Sequence, residues 1–276
     1  MSRRRPQPFG LVAVGAPHSS VPRLGSKVAI VAVSRRHAIA VLENNAETRT
    51  ELSTEELVKL FSVLSHDLKS PIFTIDGFSE LLLGEYTDKL DEEGQDFLRR
   101  IRFSVQQLRQ VLDEMSHMVK LLARPTAKRP TPLREIIEEV ILKCNFLIEE
   151  GGVHVDVPAD LPTANVDPEK MREAIAALIS NALFFNDRPK GERSIAIEST
   201  ADANNHRLCV RDNGIGIDPR YTGQIFDLGL KLDKSRGGGP GYGLYLAKRV
   251  MESHGGTMTV DSRPGEGSTF CLLIPR

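Results

Sequence analysis

His66 and Asp67 stand side by side in Leu64-Ser65-His66-Asp67-Leu68-Lys69-Ser70-Pro71, and together they can carry out phosphoryl chemistry. A neutral imidazole nitrogen is a nucleophile near pH 7, and a phosphoryl group carried on nitrogen stays reactive enough to be passed on. Asp67 can take up or orient the imidazole proton. Ser70, four residues on, lies one helical turn along the same face and can hold a water against a phosphorylated His66. Pro71 has no N–H for the carbonyl of Asp67 and its ring crowds that carbonyl, so a kink is expected beside the histidine.

Three stretches far downstream suit the parts of a bound nucleotide. Asn181, in Ser180-Asn181-Ala182-Leu183, can offer its amide oxygen to a magnesium ion that also holds phosphate oxygens. Asp212 ends a strand in Arg211-Asp212-Asn213-Gly214-Ile215-Gly216-Ile217. Its carboxylate can accept from the exocyclic amine of a base, while Gly214 and Gly216 let the backbone approach the ring. Gly239, Gly241 and Gly243 lie in Gly237-Gly238-Gly239-Pro240-Gly241-Tyr242-Gly243-Leu244, which opens a helix expected at 241–254, whose first amides form a phosphate cradle. Each stretch alone also reads as ordinary structure: a polar residue on a helix, a strand-to-turn junction, a surface loop. Their conjunction, in this order and downstream of His66, is far more specific.

Elements must position these groups. Leu57, Phe61, Leu64, Leu68, Ile72, Ile75, Phe78 and Leu82 recur every three or four residues, which makes one apolar helix face and sets His66 on the side towards water. Ser53-Thr54-Glu55-Glu56 fits a capping box that starts this helix, which runs to about Tyr86. After a polar turn at 87–94, Phe97, Ile101, Val105, Leu108, Leu112, Met115, Val119 and Leu122 form a heptad-like stripe on a second helix. Two such helices cannot bury both stripes against each other. Pairing two hairpins into a four-helix bundle does, so a homodimer is expected, the alternative being a monomeric hairpin packed on its own second domain.

Pro125, Pro130 and Pro132, interleaved with basic residues, read as a linker over 125–132. From Leu133 the pattern turns mixed: helix 133–150, strand 153–157, helix 168–185, strands 194–200 and 206–212, a glycine-rich loop to 240, the helix at 241–254, and strands 257–262 and 268–274. This order suggests a sheet covered on one face by helices. The expected fold class is α+β, with 53–124 a helical hairpin, 133–276 an α/β sandwich, and 1–52 a poorly ordered or vestigial segment rich in Pro, Gly, Ser and Arg.

At 276 residues, roughly two domains are expected. Lys and Arg number 36 against 37 Asp and Glu, so neither a nucleic-acid nor a membrane footprint is present. The longest apolar run, Val28 to Val33, is strand length, and nothing behind the basic start resembles a secretory signal. A soluble, cytoplasmic chain is expected. Cys144, Cys209 and Cys271 lie far apart without CxxC spacing, which supports neither a disulfide framework nor a zinc site; they read as small buried residues in a reducing compartment.

Over about 53–276 the chain resembles the transmitter core of a two-component sensor histidine kinase, with wording similar to the kinase modules of bacteriophytochrome-like soluble sensors. His66 to Pro71 is similar to the family's H box, Asn181 to its N box, and Asp212, Gly214 and Gly216 to its G1 box. Ile225-Phe226-Asp227 is similar to the F box, and Gly239, Gly241 and Gly243 to the G2 box; His254-Gly255-Gly256 and Pro264 to Phe270 match the closing strands. The resemblance implies a dimerisation and histidine-phosphotransfer hairpin followed by a Bergerat-type ATP-binding domain. It further implies that ATP phosphorylates His66, usually with the following acid as base, and that the phosphoryl group moves to an aspartate of a response regulator. Asp212 would bind the adenine amine and Asn181 the magnesium, so ATP and Mg²⁺ are the expected cofactors. Ser70 takes the place of the more usual Thr or Asn that supports phosphatase activity.

The chain departs from the pattern at three places. Family members often carry an Asn one turn before the metal ligand and a Lys three residues after it, where this chain has Ala177 and Phe184; the F box continues as Leu228-Gly229-Leu230-Lys231 without a second aromatic. Losing a phosphate-facing cation weakens electrostatic stabilisation, which Lys231 and Lys234 can partly restore. Besides an active autokinase, two readings therefore stand: a catalytically weak ATP-binding dimer that scaffolds or inhibits a partner kinase, and a gyrase-, chaperone- or mismatch-repair-like ATPase, which leaves the His66 hairpin unexplained. With no recognisable input domain in 1–52, a separate sensor protein or a small N-terminal element is expected to supply the signal.

Overall fold

The computed structural model describes residues 54–186, 191–232 and 240–276. The readings at 1–52, Ser53, Lys234 and Gly239 lie outside the described residues. Helices α1 (Thr54–Glu85) and α2 (Glu92–Ala123) form the hairpin, and α1 runs through Pro71 without interruption. The turn is shorter than expected: a 3-10 turn at Thr87–Lys89 is followed by Asp91, whose side chain accepts from the Gly94 amide at 2.8 Å and caps α2.

The hairpin seam is narrower than the apolar stripes implied. Among the described side chains of the expected α1 stripe only Ile72 is buried; it packs with Val105 and Leu112 of α2 as a small cluster of its own. The seam instead takes Ser65, Ile72 and Ser79, seven residues apart. Leu64, Leu68, Ile75, Phe78 and Leu82 are exposed, as are Phe97, Ile101 and Leu108 of α2. The physical reason is that a seven-residue repeat aims one line of side chains at one partner helix. The rest of the stripe faces where one hairpin has nothing to offer. Across the seam Lys69 pairs with Asp113 at 2.8 Å, and Asp76 with Arg109 at 3.3 Å and Arg102 at 3.7 Å.

The α/β domain follows as β1 (Arg129–Pro132), α3 (Leu133–Gly151), β2 (Val153–Asp156), β3 (Thr163–Val166) and α4 (Pro168–Phe185). It continues as β4 (Arg193–Ala201), β5 (Asn205–Asp212), α5 (Gly243–Ser253), β6 (Thr257–Arg263) and β7 (Gly267–Pro275). Five strands form one sheet in the order β2-β4-β5-β7-β6, with β2 parallel to β4 and the other pairs antiparallel. Alternate residues of the sheet, among them Ile195, Ile197, Leu208, Val210, Phe270 and Leu272, join α3, α4 and α5 in one core. Met118 and Leu121, at the end of α2, are buried in this same core.

Three expectations are corrected here. The segment 125–132 is not all linker, because 129–132 is strand β1, paired antiparallel with β3, a strand that the sequence pattern did not suggest. Both are four residues long, and prolines are tolerated in such a two-stranded edge because few ladder bonds need their missing amides. Helix α5 starts at Gly243 rather than 241, since Gly241 takes a φ of +86° that a helix cannot continue. Cys209 and Cys271 form a disulfide: 62 residues apart in sequence, they are directly opposed on β5 and β7, and register is invisible to spacing. Cys144 is free.

The segment after α2 is tied down by a polar hub. Arg124 Nη2 donates to both carboxylate oxygens of buried Asp167, at 2.8 and 2.9 Å, and its Nη1 donates to Glu169. Asp167 caps α4, with Pro168 at the first helical position, and also accepts from the Ala127 amide at 3.0 Å. Burial opposes its ionisation, but the amides of Ala127 and Lys170 and the Arg124 guanidinium outweigh burial and hold the carboxyl below its ordinary range. Lys170 Nζ donates to the Arg124 carbonyl at 2.7 Å and Thr126 Oγ1 at 2.9 Å. Buried His254 accepts from the Asp167 amide through Nε2 and contacts the Val250 carbonyl through Nδ1, which assigns it the neutral Nδ1–H tautomer.

Candidate active site

His66 sits on the open side of α1 with its side chain 86% exposed, and its Nδ1 lies 3.3 Å from Asp67 Oδ1. With the proton on Nδ1, donated to Asp67, the lone pair is on Nε2 and faces solvent. Ser70 is exposed on the same helix, and its carbonyl accepts from Thr74 Oγ1. The nucleophile and its acid are thus prearranged by adjacency on one helix.

The second constellation is built where β5 ends. Asp212 is 4% exposed, and its Oδ1 accepts from the Gly214 amide at 2.8 Å and the Ser268 amide at 3.3 Å. Burial pushes its carboxyl above the ordinary carboxylate range, an effect these amides oppose. Both amides act on Oδ1, so Oδ2 can accept from the exocyclic amine of a base.

The glycines here serve the chain's own backbone. A Cβ at Gly214 would meet the Phe185 carbonyl oxygen at 2.2 Å, and one at Gly216, where φ is +66°, would meet that of Arg263 at 1.9 Å. Their small size lets the loop after β5 lie directly on the end of α4 and on the β6–β7 hairpin.

Helix α5 begins without a capping side chain, whereas Asp91 caps α2 and Asp167 caps α4. Its first amides are therefore free to meet an anion, among the described residues. Gly243 packs against α4 at Ala177, where an added Cβ would lie 3.4 Å from the alanine Cβ. Ala177 is one turn before Asn181, which is half-buried and makes no side-chain hydrogen bond among the described residues. Lys231 reaches the same place: a Cβ at Gly241 would lie 3.3 Å from Lys231 Cγ, and the Gly229 amide donates to the Gly241 carbonyl. Phe184 packs edge-on against Phe185, with ring centroids 4.9 Å apart.

The structure thus brings Asp212 together with Gly214, and Gly243, Ala177 and Lys231 with the start of α5. No hydrogen bond or ion pair among the described residues links His66 to either group. Three contributors escaped the sequence. Ser268 supplies an amide to Asp212, and Ser262 Oγ supports that strand end by accepting from the Ile217 amide and donating to the Gly267 carbonyl. Buried Asn186 donates to the Ser194 carbonyl at 3.0 Å, and its Oδ1 has no hydrogen-bond partner among the described residues. Asn186 directly follows α4, an end that the hydrophobic period did mark; the β7 pairing of Ser268 had no local signal.

Residues 56–124 match the family described as the His Kinase A (phospho-acceptor) domain. Residues 166–276 match histidine kinase-, DNA gyrase B-, and HSP90-like ATPase. Cyanobacterial phytochrome B of Nostoc is 31% identical over 259 residues, 93% of this chain and 34% of that protein. The phytochrome-like protein Cph1 of Synechocystis is 30% identical over 91% of this chain and 33% of its own length. The chain therefore spans about a third of these relatives. In fold, it is similar to full-length ShkA, solved in complex with AMPPNP, with a TM-score of 0.58, 23% identity, and coverage of 79% of this chain and 46% of that one. By these matches and by the pairing of a His66–Asp67 hairpin with an Asp212-centred α/β fold, the chain carries the phospho-acceptor and ATPase domains that make up a sensor histidine kinase transmitter core.

Proposed function

We propose that the chain is an ATP-dependent histidine autokinase whose His66 takes a phosphoryl group and hands it to an aspartate on a response regulator in two-component signalling. The observation that carries this is an exposed imidazole with Nε2 free and Nδ1 on Asp67, in one chain with a buried carboxylate held by two amides and with a helix start that lacks a side-chain cap among the described residues. Bound ATP supplies the phosphoryl group, and Mg²⁺ held through Asn181 neutralises phosphate charge.

The chain's own residues do the positioning, which is where most catalysis of phosphoryl transfer comes from. Asp212 Oδ2 accepts from the base amine while Gly214 and Ser268 hold Oδ1. The first amides of α5, preceded by Gly239 and Gly241, face the phosphates. Lys231 brings a cation to that end, in place of the one missing at Phe184. Asp67 keeps the proton on Nδ1, so that Nε2 attacks, and it stabilises the charge that develops on the ring. Ser70, one turn on, orients water for the reverse, phosphatase, reaction.

The protein works as a homodimer, because Leu64, Leu68, Ile75, Phe78 and Leu82 form an apolar face that a second hairpin covers. The enzyme works in the cytoplasm beside its response regulator, and no helix among the described residues is long and apolar enough to cross a membrane. The scaffold alternative draws on Ala177, Phe184 and Gly229. Incubation with Mg²⁺ and γ-labelled ATP separates the two. Acid-labile, alkali-stable label lost in both His66→Ala and Asp212→Ala supports the kinase; measurable ATP binding without label supports the scaffold.

A further inference from the structure

The Cys209–Cys271 bridge crosses the two central strands that hold Asp212, on the sheet face opposite the core. Asp212 is three residues beyond Cys209 on β5, and Ser268, whose amide holds Asp212, is three residues before Cys271 on β7; Asp212 and Ser268 are themselves paired in register. Leu208, Val210, Phe270 and Leu272 on the same strands point into the core, so the cysteines point the other way. Across that outer face the row reads Glu198, Cys209, Cys271, Thr259, with exposed Glu198 and Thr259 at its ends. The cysteines are only 5% and 1% exposed, and Arg207 lies over Cys271.

A cation lies beside one of the two sulfurs. Arg207 Nη2 is 3.4 Å from Cys271 Sγ, whereas Arg211, on the same face as Cys209, is paired with Glu198 at 3.5 Å. A guanidinium beside a thiol favours the thiolate, which is the form that attacks and leaves in disulfide exchange. Structural cysteines in apolar cores have no such neighbour.

We propose that Cys209 and Cys271 form a reversible thiol–disulfide site that tunes nucleotide binding, an inference that rests on the reading of Asp212 as the base-binding carboxylate. In the forward direction a low-molecular-weight disulfide, of which oxidised glutathione is the example, is attacked by the Cys271 thiolate beside Arg207 and loses one thiol. The Cys209 thiolate then displaces the second thiol from the mixed disulfide. The two cysteines give up two electrons and two protons, and the oxidant leaves as two thiols; a dithiol reverses both steps. Bridged, β5 and β7 cannot part or slip at this rung, so the Ser268 amide stays on Asp212. Reduced, only the backbone ladder keeps it there.

The test uses the full chain in glutathione buffers of varied ratio, read by alkylation mass shift, with nucleotide affinity measured on each state. Cys144 is alkylated throughout and serves as the internal count. The expected result is a bridge that opens and closes with the ratio and ATP affinity roughly fivefold weaker in the reduced form, the low end of linked-site coupling. By reciprocity, saturating ATP shifts the midpoint of the bridge by the same factor. Cys209→Ser/Cys271→Ser protein is expected to bind ATP equally in all buffers. A pair that stays fully reduced, a bridge that resists reduction in the folded protein, or equal affinities in the two states overturns the proposal. Failure of the Asp212 reading looks different: Asp212→Ala then binds nucleotide as tightly as wild type, and the coupling falls with it.

Discussion

The hairpin and the α/β domain solve the burial problem in opposite ways. The hairpin keeps a core of Ile72, Val105 and Leu112 and leaves most of its apolar stripe in water, whereas the α/β domain closes its sheet under three helices and even takes in Met118 and Leu121 from the hairpin's end. One region is a half-interface, the other a finished fold. His66 rides on the half-interface, where an exposed side chain can meet different partners; Asp212 sits in the finished fold, where a buried carboxylate can be held by two amides.

The largest expected effect breaks the finished fold. Phe270→Ala empties a position that is 1% exposed and should cost about 3–5 kcal/mol, read as a drop in the unfolding midpoint of the α/β domain. The same experiment on the hairpin reads differently. Phe78→Asp, on a side chain 66% exposed in the single chain, should leave α/β domain stability unchanged and shift the monomer–dimer equilibrium by at least about 2 kcal/mol, because a second hairpin would bury the new charge. Analytical ultracentrifugation over a concentration series checks it, and an unchanged dimer removes the half-interface reading.

Arg124→Ala tests the joint between the two regions. It strips Asp167 of its guanidinium and should cost about 1–3 kcal/mol, while raising the acid-unfolding midpoint. The sign follows from a folded carboxyl held below its ordinary value: its stabilisation is present at neutral pH and is lost as pH falls through that lowered value. The smallest effect belongs to His254. Burial holds its imidazole below 6.5, so below about pH 6.5 the unfolded chain binds the proton preferentially and stability declines. Lys128, Asp167 and Lys170 face the same ring. His254→Gln should flatten that decline, measured as unfolding midpoint against pH.

Much of this was legible from local pattern. Helix α4 spans Pro168–Phe185, the bounds expected from its hydrophobic period. The exposed placement of His66 followed from its angle to the apolar stripe. What escaped was set by long-range register: β1 against β3, Ser268 against Asp212, Cys209 against Cys271. The division of the α1 stripe also escaped, because periodicity shows which residues avoid water and not which of two partners they meet.

The most direct measurement is the site of the phosphoryl group itself, by peptide mapping and phosphorus resonance of the phosphoprotein after reaction with Mg²⁺ and ATP. With Nδ1 engaged by Asp67, the account predicts a single phosphohistidine at His66 carrying phosphorus on Nε2. Phosphorus on Nδ1 of His66, on another residue, or nowhere despite nucleotide binding would contradict it.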